Sequence, residues 1–321
     1  AKWFEIMRQT GIFFYFLSLL MLLYEFLNFF LESNMNIKHG IQTIDNFNNT
    51  IKGDSYKKLE RASDSFIEKT KGGMGSYFKK WTGDSFHQWS RKVEYPFIYQ
   101  EISNFVDSKS SKNLKILDAG SGVTFFPYYI MEKHKEINIR CLDMDESYVP
   151  LFEYCNFKMK KKLNLDISSM QNTEYGDNEF DVIYSISVIE HTTEYTSIIK
   201  EFRRILKPDG LLILTFDISI DGIMDIPINK SIELLGDLNK YGFTESDHSN
   251  HLDFGLVDRK DIYNTKLALD IDSKSLWAPK PNFLLYIYRV IKEFFNHRRL
   301  YQFPPELTFY CSTFFNSKKR V

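Results

Sequence analysis

Leu114-Lys115-Ile116-Leu117-Asp118-Ala119-Gly120-Ser121-Gly122 is an apolar run that ends in a carboxylate and a pair of glycines. A run of this length reads as a buried strand, and the glycines let the backbone turn sharply and approach a ligand closely. The stretch from Phe125 to Lys135 then carries helical spacing. Strand, tight turn and helix together make the first half of a βαβ unit.

Outward from this unit, short apolar runs keep alternating with amphipathic stretches. Strands are expected at Leu114–Leu117, Ile137–Leu142, Lys162–Leu165, Phe180–Ile186, Leu211–Phe216, Leu267–Ile271 and Leu307–Phe314. Helices are expected over Phe125–Lys135, Glu146–Tyr154, Glu194–Leu206 and Phe283–Phe295, with a turn at Lys207-Pro208-Asp209-Gly210. Upstream, Ser55–Thr70 reads as a polar helix, Lys71–Gly75 as a flexible joint, and Trp81–Phe105 as one or two helices interrupted at Pro96. No internal repeat is present.

The bulk numbers narrow the classes. The chain has 321 residues, of which 43% are hydrophobic, so a sizeable core can form. A net charge of -1 gives no general electrostatic reason to bind nucleic acid. Three widely spaced cysteines, Cys141, Cys155 and Cys311, make neither a disulfide framework nor a zinc site and read as free thiols. Clusters at Lys158–Lys162 and His297-Arg298-Arg299 read as solvated faces that could attract an acidic substrate.

Ile12–Leu31 is twenty residues long with one charge, Glu25, and fourteen of its residues are Leu, Ile or Phe. Its length suits a membrane span of roughly 20 residues. Gly11, Ser18, Glu25 and Glu32 recur every seven residues and place a thin polar stripe on one helix face. The segment therefore reads either as a membrane anchor or as a helix packed against protein.

Three carboxylates carry the chemistry. Asp118, Asp143 and Asp166 each end one of three successive strands, and ligands of such sheets bind at the carboxyl ends of the strands. Asp118 can reach the ammonium of an amino-acid ligand, Asp143 can accept both hydroxyls of a ribose, and Asp166 can accept an adenine amino group. Asp145 reads as the cap of the helix that follows. A nicotinamide loop would carry a third glycine where Phe125 stands, and a bulky residue there crowds a pyrophosphate.

These features resemble the class I S-adenosylmethionine-dependent methyltransferases. The resemblance rests on Asp118 to Gly122 (DAGSG), Asp143, Asp166, Asn178 to His191 (NEFDVIYSISVIEH) and Arg203 to Gly210 (RRILKPDG). It implies an α/β Rossmann-like sheet of seven strands, the last antiparallel, with helices on both faces and an N-terminal helical extension. It implies S-adenosyl-L-methionine as cofactor, held by Asp118, Gly120, Ser121, Gly122, Asp143, Met144, Asp166, Ile167 and Ser185. The implied layout is a hydrophobic helix over 1–33, a helical extension or lid over 34–108 and the catalytic domain over 109–321.

The residues after the fourth strand sort the possible reactions. Ser185-Ile186-Ser187-Val188 stands where base-methylating and glutamine-methylating enzymes carry an Asn/Asp-Pro-Pro-aromatic motif. Ser187 also stands where metal-dependent ribose methyltransferases carry a glutamate, so no metal is assigned. Glu190 and His191 read either as a general base with its partner or as a structural pair. Trp89–Pro96 reads as a lid or as a helix on the sheet edge. The expectation is O-methylation of a glycan, lipid-linked or small-molecule acceptor near a membrane, on the cytoplasmic or matrix-like side. Its rival is a methyltransferase-like structural subunit of a membrane assembly without catalysis.

Overall fold

The computed structural model describes residues 37–80, 86–109, 113–192, 194–222, 226–246, 260–271 and 305–317, with residues 287 and 291. The apolar segment Ile12–Leu31, the cluster His297–Arg299 and, apart from residues 287 and 291, the expected helix Phe283–Phe295 lie outside them. Among the described residues, no helix is long and apolar enough to cross a membrane.

Strand β1 (Gly40–Ile41) opens the described chain, followed by α1 (Ile44–Lys52), α2 (Asp54–Thr70), α3 (Gly75–Lys80) and α4 (Arg91–Ser108). Then come β2 (Leu114–Ala119), α5 (Phe126–Lys133), β3 (Ile137–Asp143), a 3-10 turn (Glu146–Tyr148), α6 (Val149–Met159) and β4 (Asn164–Ile167). The second half holds β5 (Phe180–Ile186), a 3-10 turn (Ile189–His191), α7 (Tyr195–Ile205), β6 (Leu206–Ser219), β7 (Ile226–Pro227), α8 (Ile228–Lys240), β8 (Phe243–Glu245), α9 (Thr265–Ile271) and β9 (Leu307–Asn316).

The strands form one sheet in the order β1-β9-β6-β5-β2-β3-β4, with β7 beside β6 and β8 beside β9. The run from β4 to β6 is parallel, and β9 lies antiparallel to β6 over nine residue pairs from Leu211↔Phe315 to Ser219↔Leu307. Both faces are covered, as parallel sheets require. Ile116, Cys141, Val182, Tyr184 and Ile213 pack toward α4, whereas Leu117, Leu142, Ile183, Leu212 and Leu214 pack toward α7 and α8. The chain winds one way from β2 to β4 and the other way from β5 to β6. The crevice between the carboxyl ends of β2 and β5 is therefore the topological switch point, where such sheets bind ligands.

The extension shares the core of the sheet. Phe47, Leu59, Phe66, Val93, Phe97 and Ile102 belong to the same apolar cluster as Ile116 and Ile139. Helix α4 runs through Pro96 without a break, because Val93, Tyr95, Phe97 and Ile98 on either side are all buried. That burial outweighs the one backbone hydrogen bond the proline removes.

The unbroken helix through Pro96 corrects the interruption expected there, and three further sequence expectations need correction. Leu267–Ile271 is a helix. Its alternating apolar pattern mimics a strand, but the Asn264 side chain accepts the Leu267 N–H at 3.0 Å and starts a helix there. The sixth main strand is instead Phe243–Glu245, three residues long and carrying little pattern. Lys207–Gly210 is a bulge inside β6 and not a free turn: Leu206 pairs with Phe180 and Leu211 with Val182, and Asp209 takes a φ of 60°. Elsewhere the reading holds closely. Asp145 caps the turn after β3 by accepting from the Ser147 N–H, and all three cysteines are free and buried.

Within the Lys71–Gly75 joint, Gly73 is closely packed. A Cβ on Gly73 would run into the Tyr154 ring of α6. Gly73→Ala should therefore lower unfolding stability by about 1–3 kcal/mol, the range for overpacking, in a urea titration. Adding Tyr154→Ala should return part of that loss; a double variant no better than the sum of two losses would refute the clash.

Candidate functional site

The site begins at the tip of β2. Gly120 and Gly122 both take positive φ, 75° and 50°. A Cβ on Gly120 would lie 2.6 Å from Val188, so only glycine lets this loop pass beneath the segment after β5. The Gly120 and Ser121 N–H groups both donate to the Leu142 carbonyl, at 2.8 and 3.0 Å. The loop is thereby pinned to the end of β3.

Asp143 completes the clasp. One carboxylate oxygen accepts the Gly122 N–H at 2.9 Å, and the other accepts the N–H groups of Met144 and Asp145 at 2.8 and 3.2 Å. Met144 beside it is 77% exposed, an apolar surface at the mouth of the crevice. On the far side, Ser185 of β5 donates to the Ala119 carbonyl at 2.9 Å and ties the two strands that border the switch point.

Asp118 sits beneath this loop and is buried. Burial pushes its carboxyl from the ordinary value of 3.8 up to about 8; the Tyr184 hydroxyl facing it pulls the value down, and Asp143 raises it further. Asp118 is thus a carboxyl that holds its proton at neutral pH.

Asp166 is more committed than the sequence suggests. Arg140 grips it through Nη2 and Nε, both at 2.9 Å, and the Tyr175 hydroxyl donates to it at 2.7 Å. Its carboxylate pins β4 to β3. Ile167 ends β4 and pairs with Asp143.

Glu190 and His191 sit on the turn after β5. Glu190 is buried and accepts the Asp217 N–H at 3.3 Å, whereas His191 is exposed at the mouth. Ser187 precedes them with a φ of 46°, a conformation that costs a non-glycine residue energy and often marks functional positions. Its hydroxyl donates to Glu94 of α4 at 2.7 Å, and Arg91 donates to both Ser187 and Glu94.

Several contributors escape the sequence reading. Tyr77 of α3 accepts the Val123 N–H at 2.8 Å and covers the glycine loop, a role expected of the Trp89–Pro96 segment. That segment packs instead against β9 and the residues after β5: Trp89 meets Phe309 edge-on at 5.2 Å, and Glu94 reaches Ser187. Asp217 near the end of β6 follows the same strand-end rule that singled out Asp118, Asp143 and Asp166. Tyr77 and Glu94 carry no local signal, since only tertiary packing delivers them.

Residues 117–214 match a family model described as a methyltransferase domain. Curated relatives include phosphoethanolamine N-methyltransferase 3 of Arabidopsis thaliana, 26% identical over 116 residues, covering 36% of this chain and 23% of the relative. Phosphoethanolamine N-methyltransferase 1 of Triticum aestivum is 25% identical over 118 residues, covering 36% and 24%. The chain thus spans about a quarter of the length of the curated relatives it matches. Among solved structures, a candidate sarcosine dimethylglycine methyltransferase from Galdieria sulphuraria superposes with a TM-score of 0.51 at 18% identity, covering 75% of this chain and 97% of that one. This last likeness establishes the methyltransferase sheet and nothing finer.

The raised carboxyl of Asp118 has a thermodynamic signature. The folded state holds its proton from pH 4 up to about 8, whereas an unfolded aspartate releases it near 4. Its contribution to stability is full below pH 4 and is lost as pH rises toward 8. Urea titrations at pH 5 and pH 8 should show the wild type losing stability relative to Asp118→Asn across that window. Parallel curves for the two proteins would remove the raised carboxyl.

Proposed function

We propose that this chain is an S-adenosylmethionine-dependent methyltransferase acting on a small-molecule acceptor. The reading rests on one arrangement: a buried carboxyl, a glycine loop and a clasped carboxylate converging on the switch point of a methyltransferase sheet. Asp118 fits the ammonium of an amino-acid tail, and the Gly120–Gly122 loop leaves room for its backbone. Asp143 keeps acceptor capacity for ribose hydroxyls beside its three N–H donors. Exposed Met144 suits the face of a base, with Asp166 and Ile167 closing the far strand. The bound cofactor supplies an electrophilic methyl group on a sulfonium. What the chain adds is in-line placement of the acceptor and exclusion of water.

Two acceptor classes suit the site. An acceptor hydroxyl, on a small metabolite, a glycan or a lipid-linked group, would use exposed His191 as the base that takes its proton. An acceptor amine matches the substrate after which the plant relatives are named. We place the reaction on the cytoplasmic or matrix-like side, where the cofactor is available. Attachment to a membrane through Ile12–Leu31 is a separate proposal resting on the sequence. The intact cofactor set argues against a purely structural subunit.

Calorimetry should show micromolar binding of S-adenosylmethionine or S-adenosylhomocysteine, weakened by about 1.5–3 kcal/mol in Asp143→Ala. Binding at pH 6.5 should release close to one proton, because the ligand ammonium displaces the proton on Asp118; titration in two buffers of different ionisation enthalpy measures it. Affinity should rise as pH increases from 6 toward 7.5. Absence of binding, or an unaltered Asp143→Ala, rejects the assignment. His191→Ala should lower the turnover number about 100- to 10,000-fold with cofactor affinity intact if it is the base. A loss below tenfold returns it to a structural role.

A further inference from the structure

A basic turn lies at the amino end of β4, the far end of the sheet from the crevice. Lys158 stands in the last turn of α6, and Lys160, Lys161 and Lys162 join that helix to β4. No acidic residue lies between Glu153 and Asp166. Among the described residues, none of the four lysines forms a salt bridge. One cation would be enough to complement the carbonyl end of α6, and four exceed that need. The turn is also firmly held. Lys160 takes a φ of 52°, and the Lys160 and Lys161 N–H groups donate to the Phe157 and Asn156 carbonyls at 3.3 and 3.1 Å. The Asn156 side chain holds the other end, donating to the Leu163 carbonyl and accepting the Leu163 N–H, both at 2.9 Å. Four cationic side chains thus leave one fixed turn together.

Apolar side chains stand exposed on the same face. Phe157 is 77% exposed among the lysines, and the Lys158 ammonium lies 6.0 Å from the centre of its ring. Val149, two turns earlier on α6, is 39% exposed on the side of the helix that Phe157 occupies. An open groove of about 590 Å³ runs along the turn, lined by Asn156, Phe157, Lys158, Lys160, Lys161 and Lys162. A soluble phosphate would engage the lysines and leave Phe157 and Val149 in water. A nucleic acid strand could stack a base on Phe157 but has no use for Val149. The boundary of an anionic bilayer accepts both kinds of group at once, apolar side chains among the acyl ends and lysines among the headgroups.

We infer that this face docks reversibly on the surface of an anionic lipid bilayer, with Phe157 entering the headgroup boundary and the four lysines resting on the anionic headgroups. The docking goes beyond the methyltransferase reading and stands independently of it and of Ile12–Leu31. Each lysine close to such a surface strengthens partitioning about fivefold. Glu153, exposed between Val149 and Phe157, offsets part of that gain. The lysine chains are long enough to keep their ammonium groups among the headgroups while their stems line the groove. The cofactor crevice lies at the other end of the strands, so docking leaves it unaltered.

The test is flotation of the full chain with vesicles of phosphatidylcholine alone and of phosphatidylcholine and phosphatidylserine at three to one. At about 0.1 M salt the serine-containing vesicles should bind at least tenfold more tightly, and at about 0.5 M salt the ratio should fall below threefold. Any insertion of Ile12–Leu31 adds equally to both vesicle types, so the ratio reports the lysine face. Replacing Lys158, Lys160, Lys161 and Lys162 together by Gln should bring the ratio below threefold at low salt, with the same unfolding midpoint in urea. If that variant fails to fold, the pair Lys161→Gln and Lys162→Gln should reduce the ratio at least threefold. Phe157→Ala should weaken binding to the serine-containing vesicles at least threefold. Equal binding to both vesicle types in the wild type, or a ratio unchanged by the lysine substitutions, overturns the inference. So does a Phe157→Ala variant that binds as the wild type does, or a tighter complex with poly(U) than with the vesicles at the same salt, since the face then serves a soluble anion.

Discussion

The Asp143 carboxylate, held by three backbone N–H groups, is the contact on which the rest of the site depends. One N–H comes from the glycine loop after β2, and two come from the turn after β3. Hydrogen bonds to a charged acceptor each contribute about 1.5–3 kcal/mol, and here they join two loops that have no regular pairing of their own. The Leu142 carbonyl reinforces the join from the backbone side. With the loop fixed, Asp118 is sealed beneath it and acquires the low-dielectric surroundings that raise its carboxyl. Position and protonation thus follow from the same few bonds.

The N-terminal extension turns this general cofactor crevice into a particular one. Helices α1, α2 and α4 bury Phe47, Leu59, Phe66, Phe97 and Ile102 in the cluster that also holds the inner face of β2 and β3. At about 25 cal/mol per Å² of apolar surface removed from water, burial of whole aromatic and aliphatic side chains fixes these helices firmly on the sheet. Tyr77 and Glu94 then reach the two sides of the crevice from α3 and α4.

The central sheet was legible because its signals are local. Apolar runs of strand length, glycines at a sharp turn and carboxylates at strand ends all lie within a few residues of one another. The strand-end rule singled out Asp118, Asp143 and Asp166, which do lie at or near the ends of their strands, although it could not foresee that Arg140 and Tyr175 would engage Asp166. Elements decided by packing were harder to read. Leu267–Ile271 alternates like a strand yet is capped into a helix by Asn264. Phe243–Glu245 is too short to show a period and becomes a strand only because β9 offers it an edge. Glu94 looks like any helical glutamate until the fold places Ser187 against it.

The bond between Glu94 and Ser187 divides the protein's freedom to change. The cofactor half is fixed by backbone amides and carbonyls, which most side-chain substitutions leave untouched. The opposite half is fixed by side chains drawn from a helix that lies more than ninety residues upstream of its partner. Drift along one face of α4 can therefore reshape that half while the half held by backbone bonds stays the same. A lineage with this architecture can diversify one wall of the crevice without rebuilding the other.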